Sequence, residues 1–351
     1  MKSKTIGNIL MNQKISRIIF WIMVLYGFRW YSVFAQHTHA LEGFEIKGKA
    51  YFDYGYLLSS KGPLADRYGD GWNYFKFRRG YFTLDRQFGD VFNFRFRTDA
   101  DREADDRLRP FVKNLYLEWK NLIPESKLYI GMIPTIAAEL SQEIWGYRGI
   151  EKLLIHTYIE QTGQGVDFYT ADMGFGLNGK VMKWFYYNVI FVNGAGYSHP
   201  ERDKYKKVGG QLQLRPIEGL ILAGYVNAEK QDENSTNYTY KGDVFYKKSP
   251  VALGFEIFQY ANNLSALKSV GLSMFGVCKI ANQAKIFVRY DFYDPFVGVQ
   301  DMKDDEIDYF IAGVDYFPHE LVHVMPNIRI KTYRDDRHSD VTALLTFELK
   351  Y

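Results

Sequence analysis

The sequence predicts an all-β chain: a transmembrane antiparallel β-barrel of about sixteen strands with an inward-folded third extracellular loop. Three observations carry this expectation. Two-residue alternation recurs from residue 44 to residue 351. The connections between the alternating stretches are short and long by turns. Tyr and Phe number 28 and 27, against a single cysteine. A ring with one apolar and one wet side suits a membrane–water boundary. A closed strand ladder has no free edge and needs no disulfide to staple it.

The alternation is clearest in the last stretch, VTALLTFELKY. Ala343, Leu345, Phe347, Leu349 and Tyr351 fall on one face, and Thr342, Leu344, Thr346, Glu348 and Lys350 on the other. A period of two is a strand with unlike faces. A soluble sandwich closes on such a strand too. A barrel differs only in turning the apolar face to lipid, with its final aromatic at an interface.

Read by alternation and turn residues, the strands run 44–58, 73–87, 91–100, 111–120 and 127–134. After a long interruption they resume at 170–181, 184–194, 206–216, 219–230, 237–247 and 251–261. Those at 268–280, 283–293, 307–317, 327–335 and 339–351 complete the set. Short links such as FGD, NLIPES, PIEG and KSP alternate with longer polar ones such as SSKGPLADRYGDG, GAGYSHPERDKY and DPFVGVQDMKDDE. Short periplasmic turns and longer outer loops are the pattern of outer-membrane barrels.

The first residues read as an address. Lys2, Lys4, Lys14 and Arg17 precede the apolar run IIFWIMVLYGF, and Val33 and Ala35 supply small residues before Gln36. That is the layout of a secretory signal, and the run is too short for a membrane helix. The expected organisation is a cleaved signal peptide over 1–35, a short periplasmic N-terminus over 36–42 and the barrel over 43–351. Residues 1–35 hold five of the 44 basic residues and none of the 41 acidic ones, leaving 39 against 41. The surplus of positive charge therefore goes with the leader, and nucleic acid is not an expected partner.

Two strands show what each face carries. In FNFRFR, Phe92, Phe94 and Phe96 oppose Asn93, Arg95 and Arg97. In KIFVRYD, Ile286, Val288 and Tyr290 oppose Lys285, Phe287, Arg289 and Asp291.

The order of NYFKFRRGYFTLDRQFGDVFNFRFRTDAD, LYLEW, LYIGMIPT, EIWGYRGIEKLL, MGFGLNG and FYYNVIFVNG resembles the phosphate-selective porin family of Gram-negative outer membranes. The resemblance is a diffuse pattern spread over most of the chain behind the leader. It implies a sixteen-stranded barrel, often a homotrimer, with the third loop as a constriction and a ladder of arginines and lysines along the pore. The residues that would form the ladder here are Lys76, Arg78, Arg95, Arg97, Arg289, Arg329 and Lys331. A phosphate leaves water only where cationic donors replace its hydration, and rows of moderate sites let it pass. The competing account is that these cations are balanced by Asp85, Asp99, Glu118 and Asp291 on an ordinary polar wall.

Residues 135–165 are too long for a simple loop and too apolar for a disordered one. Ile136, Leu140, Ile144, Trp145, Tyr147, Ile150, Leu153, Leu154 and Ile155 recur at three- and four-residue spacings. The spacing predicts short helices broken near Gly146 and Gly149, folded into the lumen. Glu139, Glu143, Arg148, Glu151 and Lys152 would then be the charges nearest a passing solute. The alternative packs this loop outward against a neighbouring subunit.

HELVH, residues 319–323, matches the zincin pattern H-E-x-x-H and offers a second reading, zinc hydrolysis by His319, Glu320 and His323. Pro318 and Pro326 leave no room for the helix that chemistry needs, so the segment is expected to be a periplasmic turn. His37 and His39 are a solvated pair near the start of the mature chain. The expectation is thus a channel without catalytic residues, cofactor or metal, for small hydrophilic solutes and small anions such as phosphate. It would sit in outer-membrane lipid, delivered by the barrel-assembly machinery through the strand ending at Tyr351. N-terminal sequencing of the membrane-inserted form should start at Gln36; a start at Met1 would refute the cleavage site.

Overall fold

The computed structural model describes residues 43–102, 108–157, 169–264, 268–297, 306–334 and 338–351. The expected leader, His37, His39 and the end of the third loop lie outside the described residues. Contacts divide the chain into residues 1–45 and the barrel, 46–351.

Sixteen strands form one closed antiparallel barrel. They are β1 Phe44–Ser60, β2 Asn73–Phe88, β3 Phe92–Arg102, β4 Leu108–Lys120, β5 Ser126–Pro134, β6 Ala171–Met182, β7 Phe185–Val192 and β8 Lys207–Leu214. The second half is β9 Leu220–Lys230, β10 Thr236–Lys248, β11 Val251–Asn262, β12 Lys268–Ala281, β13 Ala284–Asp294, β14 Ile307–His319, β15 Val322–Tyr333 and β16 Ser339–Lys350. Each strand pairs with its neighbours in sequence, and β16 returns to β1 with Lys49 opposite Lys350 and Asp53 opposite Thr346. The seam runs through the last residue. The Gly48 amide donates to the Tyr351 carbonyl at 2.8 Å and the Tyr351 amide to the Gly48 carbonyl at 3.1 Å.

The faces fall as the alternation predicts. Ile286 and Val288 are exposed on the outer surface, while Phe287, Arg289 and Asp291 are buried within. In β16, Leu349 and Tyr351 point outward and Asp340, Thr346 and Glu348 inward. An apolar outside and polar inside is what a closed ladder in lipid requires, since its backbone groups are all satisfied between strands. A concavity of about 900 Å³ on the outer face lies where Gly210, Gly224 and Gly242 lack side chains beside Leu212, Val226 and Ile257. It belongs to the lipid side, away from the lumen.

Two breaks in alternation shape the interior. Arg78 and Arg79 are consecutive yet both reach inner partners, Asp53 and Asp99. Lys113 and Asn114 are likewise both buried, beside a register shift between Arg97 and Thr98. An extra residue in one strand of a pair turns two neighbours to one side. Gly131, opposite Tyr116, has φ +123°, and a Cβ there would lie 2.4 Å from the Leu115 carbonyl oxygen. Only glycine fits that approach.

One boundary differs from expectation. Strand β15 starts at Val322 rather than 327, so the turn is only Glu320–Leu321 and both prolines lie inside strands. A register shift between Tyr316 and His319 absorbs Pro318. Pro326 pairs with Leu345 of β16, while the pairing to β14 skips from Asn327 to Val324. A residue without an N–H sits where that side demands no donor. Val288→Arg puts a charge on the outer face near mid-strand and should cost about 2–4 kcal/mol. Urea titration of refolding into vesicles measures it; a change below about 0.5 kcal/mol would mean this face does not meet lipid.

Candidate functional site: a loop clamped across the lumen

The third loop leaves β5 at Pro134. Its two ends are stitched together at the neck, where the Thr135 hydroxyl donates to the Tyr169 carbonyl at 2.5 Å and the Thr135 amide to the Thr170 carbonyl at 3.2 Å. Helix α1 (Ile136–Trp145) follows and buries Ile136, Ala137, Ala138, Leu140, Ser141, Ile144 and Trp145. Glu139 and Glu143, one turn apart, remain exposed. Gly146 ends the helix with φ 72°, its amide donating to the Gln142 carbonyl at 3.0 Å. A left-handed residue there is what glycine supplies at a helix C-terminus. The helix break at Gly146 and the inward fold are therefore as predicted. A short helix α2 (Leu154–Thr157) ends the described part of the loop.

The loop's apolar side packs on the inner face of β10–β14. Trp145 lies 5.2 Å from Phe275 and, edge-on, 6.1 Å from Phe287, and Tyr147 lies 4.7 Å from Phe287. Phe245, Phe258 and Ile311 complete a dry cluster inside the barrel. These strands carry aromatics on both faces, so half the lumen is filled rather than wet.

The loop's backbone is gripped by the wall. Arg78 donates to the Ile150 carbonyl at 2.5 Å and to the Gly149 carbonyl, with Nε 2.8 Å from Asp53. Arg329 donates to the same Ile150 oxygen at 2.6 Å and to Glu151 at 3.1 Å. Arg289 holds the Lys152 carbonyl at 2.7 Å and Asp291 through two bonds of 2.8 and 2.6 Å. Tyr309 donates to Glu151 at 2.8 Å, Tyr147 to Asp315 at 3.0 Å and Lys241 to Ser141 at 2.8 Å. Lys241 also pairs with Asp243 and, at 2.8 Å, with Glu256.

The seven basic residues expected along the pore thus divide. Arg78, Arg289 and Arg329 are fasteners of the loop, and Arg289 is 1% exposed. Arg95 and Arg97 line the opposite wall: Arg95 forks onto Asp85 at 2.7 and 2.8 Å, and Arg97 donates to Thr83 at 2.9 Å. Lys76 is exposed on the face of β2 that carries Arg78, and Lys331 lies 5.1 Å over the Tyr333 ring. Of the loop charges, Glu139 and Glu143 meet water, whereas Glu151 is spent on the clamp. Arg148 is half-buried, and Lys152 is held through its backbone. Below α1 a cavity of about 570 Å³ opens toward the turns, lined by Lys120, Lys127, Glu139, Glu143, Gln213 and Arg215.

Sequence reasoning missed Asp53, Arg79, Lys113, Lys241, Tyr309 and Asp315, which hold or border the loop. Lys241 and Asp315 lay on inward faces and could have been found by alternation. Arg79 and Lys113 could not, because irregularities in the strands turn them inward. In HELVH, His319 ends β14 and accepts the Leu321 amide at 3.2 Å. His323 lies on β15, 2.8 Å from Asp315 and 2.7 Å from Lys350. The segment is a hairpin rather than a helix, so it lacks the i, i+4 face that zinc chemistry uses.

No family model matches the sequence, and no curated protein does. Among solved structures, an anion-selective porin from Comamonas acidovorans is similar with TM-score 0.65 and 10% identity, covering 88% of this chain and 99% of its own. OmpF of Salmonella typhi, in complex with daunomycin, gives 0.62 and 10%, with 88% and 97% covered. The outer membrane channel DcaP of Acinetobacter baumannii gives 0.59 and 12%, with 88% and 97% covered. The fold is that of Gram-negative outer-membrane porins.

The two loop carboxylates respond oppositely to acid. Partial desolvation inside the lumen raises the pKa of Glu139, although its side chain still meets water, against the pull of Arg95. Burial also opposes ionisation of Glu151, but Arg329, Arg78 and the Tyr309 hydrogen bond overcome it and hold the group at about 2. A lowered pKa contributes stability that is full above the ordinary value of 4.5 and lost as pH falls through about 2. The clamp on Glu151 accounts for about 3 kcal/mol by that linkage. Acidification should therefore discharge Glu139 first, shifting reversal potentials toward anions above pH 4.5 while the loop stays shut. A loop that opens by pH 5, seen as a conductance jump, would contradict the assignment.

Proposed function

We propose that this protein is an outer-membrane porin for passive diffusion of small hydrophilic solutes, with a preference for anions such as phosphate. The observation that carries the reading is the loop clamped across a closed barrel. It fills the β10–β14 side with apolar side chains and leaves the polar side chains of β2–β5 facing it across the lumen. A chain that only needed a stable wall would have no use for a segment tied across its lumen by six wall residues, Arg78, Lys241, Arg289, Tyr309, Asp315 and Arg329.

The anion preference rests on the passage wall. Arg95, Arg97, Lys47 and Lys127 face it, against Asp85, Glu118 and the exposed Glu139. Lys47 approaches Asp85 at 3.6 Å, so that carboxylate is shared with Arg95, while Lys127 approaches Glu118 at 3.5 Å. Cations left with unsatisfied capacity recruit mobile anions, and weak successive sites let them leave. The resemblance to phosphate-selective porins and the similarity to an anion-selective porin point the same way.

Reconstituted protein should conduct in potassium chloride. Removing residues 139–152 should raise conductance at least twofold, and Arg95→Gln with Arg97→Gln should move the reversal potential toward cations. Glu320→Gln, at the far turn, should leave conductance unchanged. Zinc-dependent peptidase activity lost in that variant, or no conductance from correctly folded barrels, would overturn the reading.

A further inference from the structure

We infer that the loop side of the constriction holds a binding site for small organic carboxylates, built from Arg148 and His156 of the third loop and Arg79, Tyr81 and Lys113 of the wall. The inference rests on the porin reading and names a solute class for it.

Two buried donors carry it. Arg148 Nη1 and His156 Nδ1 lie out of contact with solvent and meet no hydrogen-bond partner. Buried polar atoms are almost always satisfied, so a pair left open marks a place where something else binds. His156 is 1% exposed. The site stands in the upper half of the barrel, since Asp99 and Lys113 belong to the loop-proximal parts of β3 and β4.

The surroundings are cationic. Lys113 Nζ lies 3.0 Å and Arg79 Nε 3.4 Å from Asp99, which is wholly buried. One carboxylate thus stands among three cations; its Oδ1 makes no hydrogen bond, and the balance of charge remains positive. Burial together with Arg148, Lys113, Lys152 and Arg79 keeps the His156 ring well below its ordinary pKa. A neutral ring adds no charge of its own, and the net field of the surrounding guanidinium groups and Lys113 favours an anion.

The walls are aromatic. Lys113 Nζ stands 5.2 Å from the centre of the Tyr81 ring and the Arg79 guanidinium 5.8 Å. Tyr51 meets Tyr81 edge-on at 6.2 Å and packs flat on Gly149, next to Arg148; a Cβ on Gly149 would lie 2.6 Å from the Tyr51 ring. A carboxylate presents two oxygens and one charge to the two open donors, while its organic body lies along the rings. Inorganic phosphate brings more charge and more acceptors than two donors satisfy, and has no apolar part to use the aromatic wall.

Benzoate is the probe, with phosphate and acetate as comparisons, in planar bilayers at pH 7. Benzoate should interrupt chloride current in a saturable way, at concentrations at least tenfold below those of phosphate. Arg148→Gln and His156→Phe should each weaken the block at least tenfold, measured against each variant's own chloride conductance. Arg148→Lys should restore part of it. Heat-modifiable migration on gels confirms that each variant is a folded barrel. Equal block by benzoate and phosphate, or a conducting channel that benzoate leaves untouched, overturns the site while the porin reading stands. If the folded barrel conducts nothing, the porin reading fails instead. Calorimetric titration of the detergent-solubilised protein with benzoate then decides the site alone: binding lost in Arg148→Gln upholds it, and no binding overturns it.

Discussion

Everything inside the barrel follows from the seam between β1 and β16. In hydrocarbon, an unpaired amide or carbonyl has no water to turn to, so the ladder must close. Here it closes through the mutual bonds of Gly48 and Tyr351 and the register from Lys49–Lys350 upward. Once closed, the alternation sorts every strand: apolar residues outward, polar ones inward. The polar row is then trapped in a space too narrow for all its groups to be hydrated at will. Those charges must find one another, and the third loop is the means by which many of them do.

That explains why the arginines divide as they do. A guanidinium fixed in a wall can satisfy its donors with carboxylates, with loop carbonyls or with solute. Arg78 and Arg329 converge on the Ile150 carbonyl, and Arg289 takes that of Lys152, so the loop backbone substitutes for water as acceptor. A carbonyl carries no net charge. Each of these cations also pairs with one carboxylate, Asp53, Glu151 or Asp291, and the loop carbonyls take the donors left over, provided the loop remains in place. Across the lumen, Arg95 and Arg97 have side-chain partners and keep some exposure. Under the proposed function, constriction and selectivity would be two uses of one inward row, divided by where the loop lies.

How much of this was legible depends on period. The barrel, its strand number and the facing of FNFRFR and KIFVRYD could be read because alternation is a local property, repeated sixteen times. The loop's helix and its end at Gly146 were legible for the same reason, through spacing and a left-handed glycine. What could not be read were the places where period fails. Arg78 and Arg79 both face inward, and so do Lys113 and Asn114, the latter where the register to β3 slips by one residue. Pro318 and Pro326 looked like strand stops, yet a register shift and a gap in pairing accommodate them.

The partners of the inward charges were illegible for a different reason. Alternation assigns Arg289 to the lumen correctly, but the lumen is not uniformly wet. Whether an inward residue meets water depends on what the third loop brings to that level, and contacts such as Tyr147 with Asp315 join residues 168 positions apart. The apolar members of β10–β14 carried the missing signal. Phe245, Phe258, Phe275 and Phe287 lie on the face that should be polar. A large ring turned to a water-filled lumen would be unfavourable by its whole buried area. Four of them on neighbouring strands require a cover, and an amphipathic loop with Ile144, Trp145 and Tyr147 is the segment of this chain able to supply it. Violations of the inward pattern therefore locate the loop, and the loop's position decides which inward arginines are buried against it and which stay partly exposed.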